Sequence, residues 1–270
     1  MNAHELFHAG KLDEALAAQI EQVRNHPADF SSRIFLSELL CFTGDLDRAD
    51  KQLDTVGHQD PKALPVTTIF RHLIRAAQAR VDCFETGRVP DLLGELTGPS
   101  RLLLQSLVHL RESDASQALA LIEQAEAERV HPAGLSGETP FDDFRDLDDI
   151  TASIVEVLTS VGQYYWVPLE RVELLEFKAA ERPRDLLWRP AHLIVRDGPD
   201  GEVFIPALYP GASSEANPML RVGRETEWRG GDGSPVRGAG QRIFLIGDDA
   251  VPMMELTTLT FEPSASGESA

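Results

Sequence analysis

Cysteine is scarce in this sequence, and long apolar runs are missing from it. Only Cys41 and Cys83 occur among the 270 residues, and they form no C-x-x-C pair. The sequence therefore indicates neither a disulfide framework nor a zinc site, and we expect two buried, reduced thiols. No segment approaches the roughly 18–20 apolar residues of a membrane-spanning helix, and the first residues lack the basic and apolar regions of a signal peptide. We expect a soluble, cytoplasmic protein.

Basic residues are also few. Lys and Arg number 25 against 44 Asp and Glu, which gives a formal net charge of −19, and both halves of the chain are acidic. Binding to nucleic acid requires a concentrated basic face, and an anionic membrane surface repels an acidic protein. We therefore expect no nucleic-acid partner and no membrane partner.

The motifs of common enzyme classes are missing as well. No serine lies in a G-x-S-x-G motif, and the glycine-rich residues 230–240 have neither the lysine nor the following helix of a phosphate-binding loop. His4 and His8 have the i, i+4 spacing of two zinc ligands on a helix, but no H-E-x-x-H motif or third ligand accompanies them. The sequence predicts no catalytic residue, no metal site and no cofactor.

The N-terminal part contains an internal repeat. The segment FHAGKLDEALAAQ aligns with CFTGDLDRADKQL, so that Gly10 and Gly44 are separated by 34 residues. This is the period of the tetratricopeptide repeat (TPR), a helix–turn–helix unit that buries its apolar face by stacking on neighbouring units. The second unit, residues 30–61, is complete, whereas the first begins too close to the N-terminus for a full first helix. Ala49 is expected where the two helices of the complete unit approach each other.

Helical periodicity continues beyond the repeat. Residues 70–84 trace one apolar stripe, and residues 100–111 and 115–129 are typical of a further helix pair. A segment rich in Pro, Gly and Ser follows at residues 131–137 and has the composition of a domain boundary. The sequence thus predicts a TPR-like α-solenoid over residues 1–136.

The second half is predicted to begin with one helix over residues 147–161. Apolar residues recur there at steps of three and four, before the helix-ending Gly162: Leu147, Ile150, Ile154, Val157, Leu158 and Val161. Five carboxylates, which we call the acidic cluster, would lie at the helix N-terminus and accept from its unpaired N–H groups: Asp142, Asp143, Asp146, Asp148 and Asp149. The alternative is a calcium site, but calcium loops need a fixed Asp/Asn spacing with a central Gly, which this segment lacks.

The remainder of the chain has the pattern of short strands. About six strands are predicted between Trp166 and Phe261. Because no helical stretch separates them, the sheet should be mostly antiparallel. The glycine-rich residues 229–240 are expected to form a mobile loop, and residues 264–270 a frayed tail. The predicted fold class is α+β, with an N-terminal TPR-like α-solenoid followed by a smaller, mostly antiparallel β-rich α+β domain over residues 137–270.

One aromatic group is a candidate binding surface. Tyr164, Tyr165 and Trp166 are followed by Trp188, with Arg184 nearby. Aromatic residues and arginine are favoured at the hot spots of protein interfaces. The alternative is that these aromatic residues form the core of their own domain, since large aromatic side chains dominate core packing.

Four segments make the chain recognisable: GETPFDDFRDLDDI, YYWVPLERVELLEF, RPRDLLWRPAHL and VFIPALYPG. With them, the chain resembles the ImpE family, also called TagJ or SciE-type virulence proteins, along essentially its whole length. Members of this family look like accessory components of the bacterial type VI secretion system, a contractile sheath that injects effectors. The resemblance implies a helical-repeat N-terminal part, a smaller C-terminal α+β part and no enzymatic activity.

The same resemblance implies two protein partners. One is the sheath small subunit TssB, contacted through its N-terminal segment, and the other is the AAA+ ATPase ClpV, which disassembles contracted sheaths. Arg184, Asp185 and Trp188 lie in a segment typical of the family and are carried over as candidate surface positions for partner contact.

Two alternatives to a sheath adaptor stay open. A TPR-like chaperone for secreted substrates would use the concave face of the solenoid. An enzyme would need the acidic cluster to converge in a closed pocket, whereas carboxylates that cap a solvent-facing helix would leave such an enzyme without a site.

Overall fold

The chain begins with two helix pairs. The structure, a computed structural model that describes residues 1–263, opens with four helices: α1 (Ala3–His8), α2 (Leu12–Asn25), α3 (Phe30–Phe42) and α4 (Leu46–Gln59). Gly10 and Gly44 close the equivalent turns with φ angles of +77° and +76°, which L side chains rarely adopt. Ala49 is fully buried in α4, as the repeat predicts. The 34-residue period thus corresponds to two successive helix–turn–helix units, of which the first has a short first helix.

Three further helices complete what we call the helical half, residues 1–128: α5 (Leu64–Thr86), α6 (Gly98–Arg111) and α7 (Ala115–Glu128). The Asp114 side chain accepts a hydrogen bond from the Gln117 N–H and so begins α7. The helix pair predicted over residues 100–111 and 115–129 is confirmed.

The β half, residues 134–263, contains almost all of the strands. In chain order the strands are β1 (Asp91–Leu92), β2 (Gly134–Ser136), β3 (Thr139–Phe141), β4 (Phe144–Asp146), β5 (Ile154–Leu158), β6 (Tyr164–Pro168), β7 (Val172–Phe177), β8 (Trp188–Val195), β9 (Asp200–Pro206), β10 (Thr226–Gly231), β11 (Ser234–Gly240), β12 (Ile243–Ile246), β13 (Asp249–Pro252) and β14 (Thr258–Phe261). A one-turn helix, α8 (Pro218–Arg221), precedes β10.

These strands form three sheets in the described part of the chain. The largest has nine strands in the order β1-β6-β5-β9-β8-β7-β14-β2-β3, a second has the order β13-β12-β4, and β10 and β11 form a hairpin. Within the described residues every named strand pair except β1–β6 is antiparallel. The predicted α+β class, with a helical N-terminal part and a mostly antiparallel β-rich part, is confirmed.

The helix predicted over residues 147–161 is wrong. Residues 147–153 form turns, in which Asp146 and Asp148 each accept a hydrogen bond from the backbone N–H two residues further along the chain. Such local bonds compete with helical ones. The following residues, IVEVL, form β5, and all five are buried because the strand has a core on each side. A short apolar run buried on both faces has no alternation by which periodicity could distinguish it from a helix.

Three smaller expectations about the β half need correction or fall outside the structure. Between Trp166 and Phe261 the structure has nine strands, β6 to β14, rather than about six, because the glycine-rich residues form a hairpin and the last three strands have only four residues each. Residues 229–240 are not a loop but belong to the β10–β11 hairpin, and Gly230, Gly231 and Gly233 adopt positive φ at its tight end. The predicted tail at residues 264–270 lies outside the described residues.

The two halves share one hydrophobic core. The Phe70 ring of α5 packs edge-to-face on Trp188 of β8, with ring centroids 6.2 Å apart. The Phe84 ring, at the other end of α5, lies 6.4 Å from Trp166 of β6. The helices thus cover one face of the large sheet, while the sheet of β4, β12 and β13 packs on the other. A division into two domains at residue 136 stays a prediction.

No helix within residues 1–263 is both long enough and apolar enough to cross a bilayer.

Candidate functional site

The acidic cluster contributes to a buried ionic network between the halves. Arg80 of α5 donates from Nε and Nη2 to the two carboxylate oxygens of Glu156, both at 2.8 Å. Arg242 donates from Nη1 to Glu156 at 3.0 Å and from Nε to Asp146 at 2.8 Å. Glu156, Arg242 and Asp146 are fully or almost fully buried. Two arginines and two carboxylates therefore balance their charges inside the protein.

Aromatic side chains complete the hydrogen bonding of this network. The Tyr164 hydroxyl donates to Glu156 at 2.5 Å and accepts from the Trp166 indole N–H at 2.6 Å, while the Tyr209 hydroxyl donates to Asp146 at 2.9 Å. Burial opposes the ionisation of Glu156, but Arg80 and Arg242 outweigh it and hold the pKa of this carboxyl at about 2. Glu156 is thus ionised at neutral pH, whereas burial raises the pKa of Asp146 above its ordinary value although Arg242 opposes this.

Three other carboxylates of the acidic cluster, Asp143, Asp148 and Asp149, are also hydrogen-bonded, whereas Asp142 is exposed. Arg129 donates to both oxygens of Asp143 at 2.7 Å. Asp148 accepts from Arg237 Nε at 2.9 Å and from the Gly238 N–H at 3.0 Å. Asp149 accepts from the Val236 N–H at 2.6 Å. Asp148 and Asp149 join the turn 147–153 to the β10–β11 hairpin, and Asp143 pairs with Arg129, the residue directly after α7. The expectation that the acidic cluster caps a helix is therefore wrong.

This arrangement bears on the enzyme and calcium hypotheses. The buried carboxylates of the acidic cluster face arginine side chains and backbone N–H groups rather than an open cavity. Within residues 1–263 no group of three or more His, Cys, Asp or Glu side chains has the geometry to hold a metal ion. Geometry therefore favours a structural role for the cluster.

Most of the predicted binding residues lie inside the protein. Tyr164, Trp166 and Trp188 are 1%, 0% and 6% exposed, and Tyr165 is half-buried. Arg184 and Asp185 are each 6% exposed, so the expectation that Arg184, Asp185 and Trp188 are surface positions is wrong. Trp166 and Trp188 pack against α5 between the two halves, so these aromatic side chains fill the core as the alternative interpretation stated.

Asp185 has a local structural task. Its carboxylate accepts hydrogen bonds from the backbone N–H groups of Glu181 and Arg182, at 3.0 and 2.9 Å. These bonds fix the segment from residue 181 to residue 184, which we call the arginine loop and which leads into the 3₁₀ turn Pro183–Leu186. The loop crosses from the β half towards α3 and carries Arg184 to the helical half.

The arginine loop and the first three helices enclose an open groove with a volume of about 830 Å³. We call it the composite groove, because both halves of the chain line it. Its apolar walls are formed by Ala18 of α2, Ile34 and Phe35 of α3, Val66 of α5 and Pro183 of the arginine loop. A volume of this size lies towards the upper end of the range for ligand pockets, about 300–1,000 Å³.

A charged pair lies at the bottom of the composite groove. Glu38 of α3 is 4% exposed, and its carboxylate lies 3.5 Å from Nη1 of Arg184. Arg184 also places its guanidinium 4.6 Å from the centroid of the Phe70 ring. Burial raises the pKa of Glu38 to about 7, because Arg184 offsets only part of the cost of holding the charge.

Glu38 is a residue that the sequence analysis missed. It stands in the otherwise apolar run FLSELLCF, where its neighbours Phe35 and Leu39 are buried. An acidic residue in such a run is almost never fully buried unless it is paired, and this was the available signal. The partner, Arg184, is 146 residues away in sequence and could not be identified from the pattern.

Comparison with known proteins gives similarities over nearly the whole chain. The family model described as ImpE protein matches residues 138–260. The chain is 36% identical over 264 residues to the type VI secretion system accessory component TagJ of Pseudomonas aeruginosa. This match covers 98% of this chain and 92% of that protein. It also matches the crystal structure of a protein from Vibrio parahaemolyticus, with a TM-score of 0.90, 31% identity and coverage of 96% of this chain and 97% of that chain.

Proposed function

Because the chain belongs to the ImpE family and is a homologue of the type VI secretion accessory component TagJ, we propose that it is a non-enzymatic adaptor for a contractile secretion sheath. Its partner is the N-terminal segment of the sheath small subunit, a TssB-like protein, and that segment binds in the composite groove. A ClpV-like AAA+ ATPase is the second partner, since a protein that holds a sheath subunit is placed to act with the ATPase that disassembles sheaths.

The observation that carries the proposal is the composite groove itself. It is open, it has apolar walls, and two buried charged groups lie at its floor. Val66 on its wall is 45% exposed, and Ile69, one helical turn further along α5, is 43% exposed and continues the apolar surface. An amphipathic segment buries its apolar side chains in a groove of this kind.

The pairing of the acidic cluster supports a non-enzymatic role. A catalytic carboxylate must reach a substrate, but Asp146 and Glu156 are fully buried and spend their oxygens on Arg80, Arg242 and Tyr164. Asp146, the fully buried carboxylate of the cluster that joins this network, is therefore occupied by Arg242 and Tyr209.

The charge of the protein favours capture of a cationic segment. With a formal net charge of −19, the chain attracts basic segments at long range and speeds their encounter at low salt. Apolar contacts in the composite groove would then supply most of the affinity.

The test is calorimetric titration of a peptide of the sheath subunit's N-terminal segment into two variants. Ala18→Trp places an indole in the composite groove and should weaken binding at least tenfold, which is about 1.4 kcal/mol. Ala17→Trp is the matched control, because Ala17 is exposed on the same helix and does not line the groove. Equal affinity of the two variants, both melting like the wild type, would contradict binding in this groove.

A further inference from the structure

We propose that Glu38 forms an ion pair with a lysine or arginine side chain of the bound segment, so that the composite groove selects a cationic residue flanked by apolar ones. This inference rests on the proposed function and adds the chemistry that the segment must carry. It concerns a residue that the sheath-adaptor function alone does not require.

The first support is the position of Glu38. Its side chain lines the groove and is 4% exposed, with the ring of Phe35 one turn before it on the same helix. Among the described residues its ion pair is with Arg184, at 3.5 Å, a distance longer than the usual 2.7–2.9 Å of a charged hydrogen bond. The carboxylate, which lines the groove, is therefore paired with Arg184 only at this long distance.

The second support is the position of Arg184. Its guanidinium lies over the Phe70 ring at 4.6 Å, so part of its interaction is with an aromatic face. Asp185 adds a further negative charge close to Glu38, while Arg182 adds a positive one. With burial as the main cause, these charges leave the pKa of Glu38 at about 7 instead of 4.5. A second cation at the carboxylate would reverse this shift.

The occupant is a protein segment rather than a small cation. The groove has a volume of about 830 Å³, and the apolar walls around Glu38 need apolar groups to cover them. The walls carry Ala18, Phe35, Val66 and Pro183, so a segment with apolar residues on both sides of its cation fits them. An anionic segment would meet Glu38 directly and the net negative charge of the whole protein.

A proton should be released when such a cation binds. Below pH 7 the Glu38 carboxyl is mostly protonated in the free protein, whereas beside a lysine or arginine it ionises. Affinity should therefore rise from pH 6 to pH 8. The titratable and charged groups around Glu38 are Cys41 on its own helix, Arg182, Arg184 and Asp185 on the facing segment, and His4, Asp29 and Glu181 at the groove.

Of these groups only His4 has an ordinary pKa inside that pH range, and burial together with His8 lowers it. His4 would therefore add at most a weak dependence near pH 6. The Glu38→Gln variant separates the pH dependence of Glu38 from that of His4, because it retains His4 and loses the carboxyl.

The experiment is a double-mutant cycle by calorimetry with a synthetic peptide of the sheath small subunit's N-terminal segment from the same organism. Each Lys or Arg of the peptide is changed to Met in turn, which keeps an apolar side chain of similar length. At pH 8, Glu38→Gln should weaken binding of the unchanged peptide about tenfold or more, and one Met peptide should lose the same factor against the wild type. When that Met peptide is titrated into Glu38→Gln, the affinity should fall no further than it does with either change alone.

The matched control is Glu14→Gln, which removes an exposed carboxylate on α2 away from the groove and should leave affinity unchanged. A second readout uses the wild-type protein. Titration of the peptide at pH 7 in buffers of different ionisation enthalpy should show that binding releases a proton.

The outcomes separate the inference from the proposed function. If the peptide binds, Ala18→Trp blocks it, and Glu38→Gln has wild-type affinity at both pH 6 and pH 8, this inference is overturned and the adaptor function stands. If the wild type does not bind the peptide at all, both are overturned. A segment without Lys or Arg that binds in the groove would also overturn the inference.

Discussion

Trp188 and Trp228 are the same residue type in very different surroundings. Trp188 is 6% exposed and packs edge-to-face on Phe70 between the two halves. Trp228 is 42% exposed on the β10–β11 hairpin and contacts the ring of Tyr209 at 5.6 Å. The two indoles should therefore contribute differently to the free energy of unfolding, because the cost of removing a side chain grows with the buried apolar area that is lost and the cavity that is left.

Trp188→Ala should lower the free energy of unfolding by about 3–5 kcal/mol, the usual range for a buried large aromatic residue. Trp228→Ala is the matched control and should lower it by about 1 kcal/mol or less, since this residue is already 42% exposed and its removal leaves no closed cavity. Urea unfolding followed by circular dichroism measures both. Similar losses for the two variants would mean that Trp188 does not anchor the interface between the halves.

At the scale of single elements, the α3–α4 unit depends on a close approach of two helices. Ala49 of α4 is completely buried, and α3 and α4 are joined by the tight turn at Gly44. Without a larger side chain at position 49, the backbones pack closely, as stacked helical repeats require.

Ala49→Leu should overpack this unit and lower the free energy of unfolding by about 1–3 kcal/mol. Ala17→Leu makes the same change on the exposed face of α2 and should be close to neutral, because the side chain projects into solvent and leucine is a good helix former. The melting temperatures of the two variants give the comparison, and an unchanged value for Ala49→Leu would contradict the packing described for α4.

The same scale shows which parts of the fold the sequence could predict. Helices α2 to α4, α6 and α7 carry a local signal, because each has an apolar face with a glycine turn or a side-chain cap within a few residues of it. Strand β5 carries no such signal: Ile154 and Leu158 face the helices while Val155 and Val157 face the second core. Its burial depends on partners distant in sequence, and the apolar pattern within a single strand does not identify these partners.

At the scale of the candidate site, the sequence supplied Arg184 but neither its position nor its partner. The arginine loop is held by Asp185 and reaches across the molecule to Glu38, so the composite groove exists only in the folded chain. The fold-level expectation of an α+β protein could be derived from pattern, whereas a groove lined by both halves could not.

At the scale of the whole molecule, the network around Glu156 joins α5 to the large sheet and to the sheet of β4 and β12. Arg80 reaches it from the helical half, and Arg242 and Asp146 reach it from the β half. Removing one charge from such a buried network leaves the opposite charges unpaired, which is far more costly than removing an exposed ion pair.

Glu156→Gln should lower the free energy of unfolding by about 3–5 kcal/mol at pH 7. The folded-state pKa of about 2 lies below the ordinary 4.5, so this stabilisation is present above pH 4.5 and is lost as the pH falls towards 2. The difference between variant and wild type should therefore narrow over that interval. Glu173→Gln, which changes an exposed glutamate of β7, is the control in urea titrations, and a wild-type stability of Glu156→Gln would contradict the role of the network.

Photo-crosslinking to the sheath small subunit tests the central claim, binding in the composite groove, most directly. A photoreactive phenylalanine derivative is placed at Val66, on the groove wall, or at Val108 of α6, outside the groove. The two valines are 45% and 43% exposed, so accessibility is matched. We expect a crosslink to the N-terminal segment of the small subunit from position 66 and none from position 108. Crosslinking from position 108 alone, or equally from both, would contradict the claim.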